Sequence, residues 1–402
     1  MQQQGGYRST DAGERAIGLL GELLRLRTDA SSGYASAAER VALTMTSLGF
    51  DVERHYVPHI SGTPVPSVLG WIGRRTVKPA LILNAHLDTN VAGSGWGFAP
   101  FAGERKNGRV YGRGSVIAKS DVAAYIYGAA TAHGAAPRSK RSILVAITCD
   151  EGAGGALGPG YILGDLKIKP ALAMTAGFTD VVGVAHNGAV QGIVTVVGAA
   201  SHQASMRPEF DAMEQAVRIA HAIVERNAEL SRENSTVAGI SSPTFNVTRF
   251  HAGESFGMAP ASVELFIDRR VTPDEDLAEA EADVRATING VSRKSGITVE
   301  TTLYPGVEPL RPTDKQKRWA DLVCAEARAV VGREVPAGGI PIYTDARWFA
   351  QAGIPTVLFG AGESDLIAAG INGTDENVAE ADMFRTVDIV TRVVRRVLEG
   401  QL

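Results

Sequence analysis

Apolar residues recur at helical spacing over 12–26 and again over 37–48, so the chain is predicted to begin with two amphipathic helices. The run 77–84 is mostly apolar and predicts a buried strand leading into His86. An alanine-rich stretch predicts a helix over 121–133, and 142–148 predicts a second buried strand ending at Asp150-Glu151. This alternation predicts an α/β fold, a mixed sheet flanked by helices. In such a layout functional side chains gather where strands end.

Near residue 190 the rhythm changes. A strand is predicted over 191–198, a helix over 209–230, strands over 244–250 and 262–269, a helix over 274–294 and a strand over 297–303. The order β-α-β-β-α-β is that of a ferredoxin-like α+β unit. It predicts an inserted domain, 190–305, within a catalytic α/β domain made of 1–189 and 306–402. The outer domain then closes with a helix over 313–331, a strand over 355–359 and a helix over 381–398.

Composition narrows the partners. The 402 residues are 45% hydrophobic and 21% charged, an ordinary globular balance. A net charge of −4 offers no basic face for nucleic acid. The two cysteines, Cys149 and Cys324, are no disulfide framework, and a reducing cytoplasm is expected. Residues 1–7 lack a basic start followed by an apolar core, so no secretory signal is expected there. No apolar run is long enough to span a bilayer, so no membrane partner is expected. A small-molecule substrate is the expected partner.

Chemistry concentrates at the predicted strand ends. His86 and Asp88 stand two residues apart, a spacing that suits an imidazole with an orienting carboxylate. It also suits a hydrogen-bonded structural histidine. Asp150-Glu151 begins a glycine-rich turn that reaches Gly158, which reads as proton-transfer machinery or as a solvated acidic turn. His202 follows the first strand of the insert. Asp345 and Arg347 lie in Thr344-Asp345-Ala346-Arg347, and Arg347 suits a carboxylate; a helix start with a surface arginine is the plainer reading.

Taken together, the segments 84–89, 96–101, 111–119 and 148–158 resemble, in order and spacing, the motifs of the dizinc aminoacylase, carboxypeptidase-G and succinyl-diaminopimelate desuccinylase family. The resemblance covers about 12–398. It implies a zinc-peptidase-like catalytic domain with an inserted lid and dimerisation domain, hence a homodimer paired through the insert. It also implies five zinc-ligand positions, which here read His86, Ile117, Gly152, Ala176 and Asn372. Only the first is an ordinary zinc ligand. The general base falls on Glu151 in one register and on Asp150 in a register slipped by one residue. His186 falls in the family's His/Lys–Gly turn. His202 matches a histidine that reaches across the dimer to a developing oxyanion. The asparagine that binds substrate in the family falls on Gly257.

The resulting expectation is an enzyme without metal or other cofactor. Glu151, Asp150, His86, Asp88 and His202 are its catalytic candidates, and Arg347, Asp345, Asn372, Ile117 and His186 surround the substrate. A single-metal site rebuilt from His86, Asp121 and Cys149 is a lesser possibility. The expected reaction is non-hydrolytic acid–base chemistry on an amino-acid-like molecule, such as cyclisation through an imine, dehydration or decarboxylation, in specialised biosynthesis. The alternatives are an amidohydrolase with a remodelled metal site and a catalytically inactive binding protein.

Overall fold

The computed structural model describes residues 4–136, 139–295 and 297–401. The expectation for 1–7 therefore falls partly outside the described residues. Two compact units are present, one of 1–184, 312–338 and 344–402, the other of 185–311 with 339–343.

The first unit is built on a mixed sheet. Six of its strands lie side by side in the order Asp51–Val57, Val65–Ile72, Ile143–Thr148, Leu81–His86, Ala173–Thr175, Thr356–Leu358. The first three are joined antiparallel and the rest parallel. Leu81–His86 and Ile143–Thr148 are buried at every position, as the continuous apolar runs require of strands covered on both faces. Helices Gln4–Arg25, Lys119–Ala135 and Glu380–Glu399 pack against one another. Leu69, Trp71, Ile82, Leu144, Phe349 and Ile354 share one core cluster.

Several helix starts are set by side chains. Thr313 accepts from the backbone N–H of Gln316 while Gln316 reaches back, a capping box opening Asp314–Val331. Asp211 caps Ala212–Leu230, which is why that helix begins after 209 rather than at it.

The second unit has the order strand Gly188–Val197, helix Ala212–Leu230, strands Thr244–Ala252 and Ser262–Val271, helix Leu277–Ser295, strand Thr298–Leu303. Its four long strands are antiparallel, with Thr244–Ala252 at one edge and Thr298–Leu303 at the other. Val194, Phe245, Leu265, Ile219, Val284 and Ile288 form its own core. Among the described residues no helix is long and apolar enough to cross a membrane.

Candidate active site at the strand ends

The site follows from one register. Leu81–His86 runs parallel to Ile143–Thr148 with His86 beside Thr148, so the segments 86–88 and 149–152 leave the sheet together. Asp88 then reaches across. Its two oxygens accept the backbone N–H groups of Glu151 (3.3 Å) and Gly152 (2.9 Å), which open a short 3₁₀ turn. Donors at a helical start are otherwise unsatisfied, so this contact fixes the turn that carries Glu151. Thr28 secures the other side, donating to Leu87 O (2.6 Å) and accepting from Thr89 N (3.0 Å).

His86 stands between two acids. Its Nδ1 is 3.4 Å from Asp88 Oδ1 and 3.0 Å from Asp88 O, and its Nε2 is 4.0 Å from Glu151 Oε2. Burial disfavours the imidazolium, but the charge and hydrogen bond of Asp88, then Glu151, outweigh it and push His86 up to about 10. Burial likewise opposes the Asp88 carboxylate. His86 and the two N–H donors prevail and hold it below its ordinary range. Glu151 is pushed up by burial, with Asp88 and Asp150 adding to the push and His86 and Arg347 opposing it.

Asp150 has a different setting. Its Oδ2 accepts from Leu157 N (2.5 Å), closing the glycine-rich turn on itself. Burial pushes it up to about 6 against that hydrogen bond. Of the two acids, Asp150 is tied into the turn, whereas Glu151 faces His86.

Asp345 precedes the helix Ala346–Gln351 and is buried. Arg347 Nη2 and Trp348 Nε1 both donate to Gly154 O, so this helix is fastened to the Glu151 turn. Burial first, then Glu151 and Asp150, push Asp345 well above the usual carboxylate range.

The remaining expected positions contribute no metal donor. Ile117 offers an alkyl group, and Ala176 a methyl. A Cβ at Gly152 would meet Asp88 Oδ2 at 3.4 Å, an ordinary contact, and glycine itself offers no donor. Asn372 is exposed with φ of 56°, and its Oδ1 accepts from Asn90 Nδ2 (3.0 Å). Among the described residues no group of three or more His, Cys, Asp or Glu side chains is placed to hold a metal ion. The rebuilt single-metal alternative fails on geometry. Asp121 spends its oxygens on Gly177 N (3.0 Å) and Ala361 N (2.6 Å), and Cys149 is a buried free thiol that burial pushes up. The side chains present do not fit a zinc pair.

His186 and His202 belong to the second unit, and each is engaged there. His186 is buried, with Nδ1 2.8 Å from Asn187 O. His202 is exposed and its Nδ1 accepts from Ala204 N (3.2 Å).

Three groups escaped the sequence reading. Tyr34 has a phenol pushed up by burial and by Asp88, Cys149 and Asp150, yet nothing in its neighbourhood along the chain marks it. Lys119 is buried and donates to Leu23 O (2.9 Å) and Leu26 O (3.0 Å). The pair Arg113–Glu376 (2.7 Å) is buried and holds the loop before Ile117, since Glu376 Oε1 also accepts from Val116 N (3.1 Å). Its signal was the Gly112-Arg113-Gly114 run, whose arginine needs an acid.

The chain matches the family model for peptidase family M20/M25/M40 over residues 82–396. It is similar to aminoacylase-1 of Homo sapiens, 24% identical and covering 94% of each chain. It is also similar to succinyl-diaminopimelate desuccinylase of Methylorubrum populi, 26% identical over 89% of this chain and 92% of that one. In fold it resembles an M20 family metallo-carboxypeptidase of Sulfolobus solfataricus, with a TM-score of 0.75 at 16% identity, covering 96% of this chain and 99% of that one.

Proposed function

Because the chain belongs to peptidase family M20/M25/M40, we propose that it is an enzyme acting on a small, amino-acid-like, amide-bearing molecule at the turn that carries Glu151. One observation carries the placement: Glu151 faces His86 across 4.0 Å on a turn that Asp88 holds in place. In this reading Glu151 moves the proton and His86 donates to developing negative charge. Arg347, on the helix fastened to the same turn, receives a substrate carboxylate.

Amide hydrolysis is the reaction the relatives support, since they are named as aminoacylase and desuccinylase. The expectation that put non-hydrolytic, metal-free chemistry first gains nothing from them. It stays as a second reading on one observation: the positions of Ile117, Gly152, Ala176 and Asn372 supply no zinc ligand, and amide hydrolysis in zinc enzymes leans on the metal to activate water. Assembly belongs to the same proposal. The edge strand Thr244–Ala252 has one side unpaired in its sheet, and pairing between two inserted domains, 190–305, would cover such an edge. A reducing cytoplasm fits the two free cysteines.

The test is amine release from N-acyl and N-succinyl amino acids, with and without chelator and with added zinc. Turnover that Glu151→Gln lowers by about 10²–10⁴ supports hydrolysis at this turn. No release under any metal condition, together with Glu151-dependent exchange of substrate C–H for deuterium, favours the second reading. Tight substrate binding without either would make the chain a binding protein.

A further inference from the structure

Asp345 is 4% exposed, and among the described residues neither of its carboxylate oxygens has a hydrogen-bond partner. Buried polar groups are nearly always paired, and a buried carboxylate without a donor is among the costliest exceptions. The two donors nearest along its own helix do not serve it. Arg347 Nη2 and Trp348 Nε1 both donate to the carbonyl of Gly154. Nor does Asp345 cap its helix, although it stands at the capping position.

The surrounding turn makes room for this acid. A Cβ on Gly155, whose φ is 71°, would stand 2.3 Å from Asp345 Oδ1, so only glycine lets the carboxylate lie there. Nearby charge is lopsided. Asp88 is met by His86 and two N–H groups, and Asp150 by Leu157 N at Oδ2 alone, its Oδ1 having no partner among the described residues. Glu151 has His86 at 4.0 Å. Neither Asp345 oxygen has a partner among the described residues. Four acids thus share the turn with His86 and Arg347 as its cations.

We propose that Asp345 receives a protonated amine of the substrate, so that the ligand carries an ammonium for Asp345 as well as a carboxylate for Arg347. The inference rests on placing the active site at this turn. A primary ammonium brings three donors and a charge, which is what a buried, donorless carboxylate lacks. A divalent metal is the poorer fit, since among the described residues no group of three metal-binding side chains is assembled. Burial first, then the charges of Glu151 and Asp150, disfavour the Asp345 carboxylate, and a bound cation would offset both.

The experiment is calorimetric titration of the full chain at pH 7.5 with glycine, β-alanine, 4-aminobutanoate and 5-aminopentanoate. Each is paired with its N-acetyl derivative and with the alkanoate lacking the amine. The expected result is that at least one amino acid binds tenfold or more tightly than both its partners. Asp345→Asn, and independently Asp345→Ser, should erase that preference while alkanoate binding persists. Equal binding of amine and des-amino compounds to the wild type overturns the proposal, as does a preference that survives both Asp345 variants. Zinc or magnesium binding that Asp345→Asn removes overturns it in favour of a metal. Absence of binding by either series overturns the placement of the site as well, whereas binding without an amine preference overturns only the role of Asp345.

Discussion

At the scale of single residues the site is a set of acids in unequal settings. Glu151 is the one on the Nε2 side of the His86 imidazole, with Asp88 held on the Nδ1 side, so Glu151→Gln should cost about 10²–10⁴ in turnover. Asp150→Asn should instead disturb the Leu157 turn and show mainly in stability. Steady-state kinetics beside thermal melts separate the two and settle which register holds the base. Asp345 gives a pH prediction. Its carboxyl is pushed up in the folded chain, so it favours the folded state below the unfolded value near 4. That contribution is lost as pH rises through the folded value. Asp345→Asn removes the titrating group, so it should raise the melting temperature more at pH 7.5 than at pH 4. An equal shift at both pH values would show that the carboxylate is not the source.

At the scale of elements, what the sequence made legible was what periodicity carries. The strands Leu81–His86 and Ile143–Thr148 and the helix Lys119–Ala135 stand within a few residues of their expected places. The neighbouring strand Val65–Ile72 did not announce itself. It is buried throughout, so it has no alternation to show, and Pro66 and Gly70 read as breakers. Gly70 is there because a Cβ would come within 2.7 Å of Met45 Sδ, a contact no local pattern reveals. The same division holds in the site. His86, Asp88 and Glu151 were legible because strand ends and motif spacing mark them. Tyr34 and the fastening of Arg347 to Gly154 were not, because they join segments far apart in the chain. The Arg113–Glu376 pair ties two such segments around Ile117. Glu376→Ala leaves a buried guanidinium without its acid and should cost about 3–5 kcal/mol in urea denaturation.

At the scale of the whole molecule, the chain belongs to a peptidase family, and the positions that the motif resemblance gives to the other metal ligands read Ile117, Gly152, Ala176 and Asn372. Dialysis against a strong chelator should therefore leave turnover unchanged. Loss of activity that added zinc restores would count against this donor set as the whole site. The chain is expected to sediment as a dimer of its 42.3 kDa mass at micromolar concentration, and a monomer would remove the role given to the insert. Cys149 is fully buried between Thr148 and Asp150, at the root of the Glu151 turn, while Cys324 is half-buried on a helix of the same unit. An alkylating reagent can reach Cys149 only when that turn opens. Its labelling rate, read by mass spectrometry with Cys324 replaced by serine, is then a built-in clock for local unfolding at the catalytic end of the sheet. A ligand that closes the turn should slow the clock by the factor with which it binds, so occupancy of the site can be followed before any reaction is known.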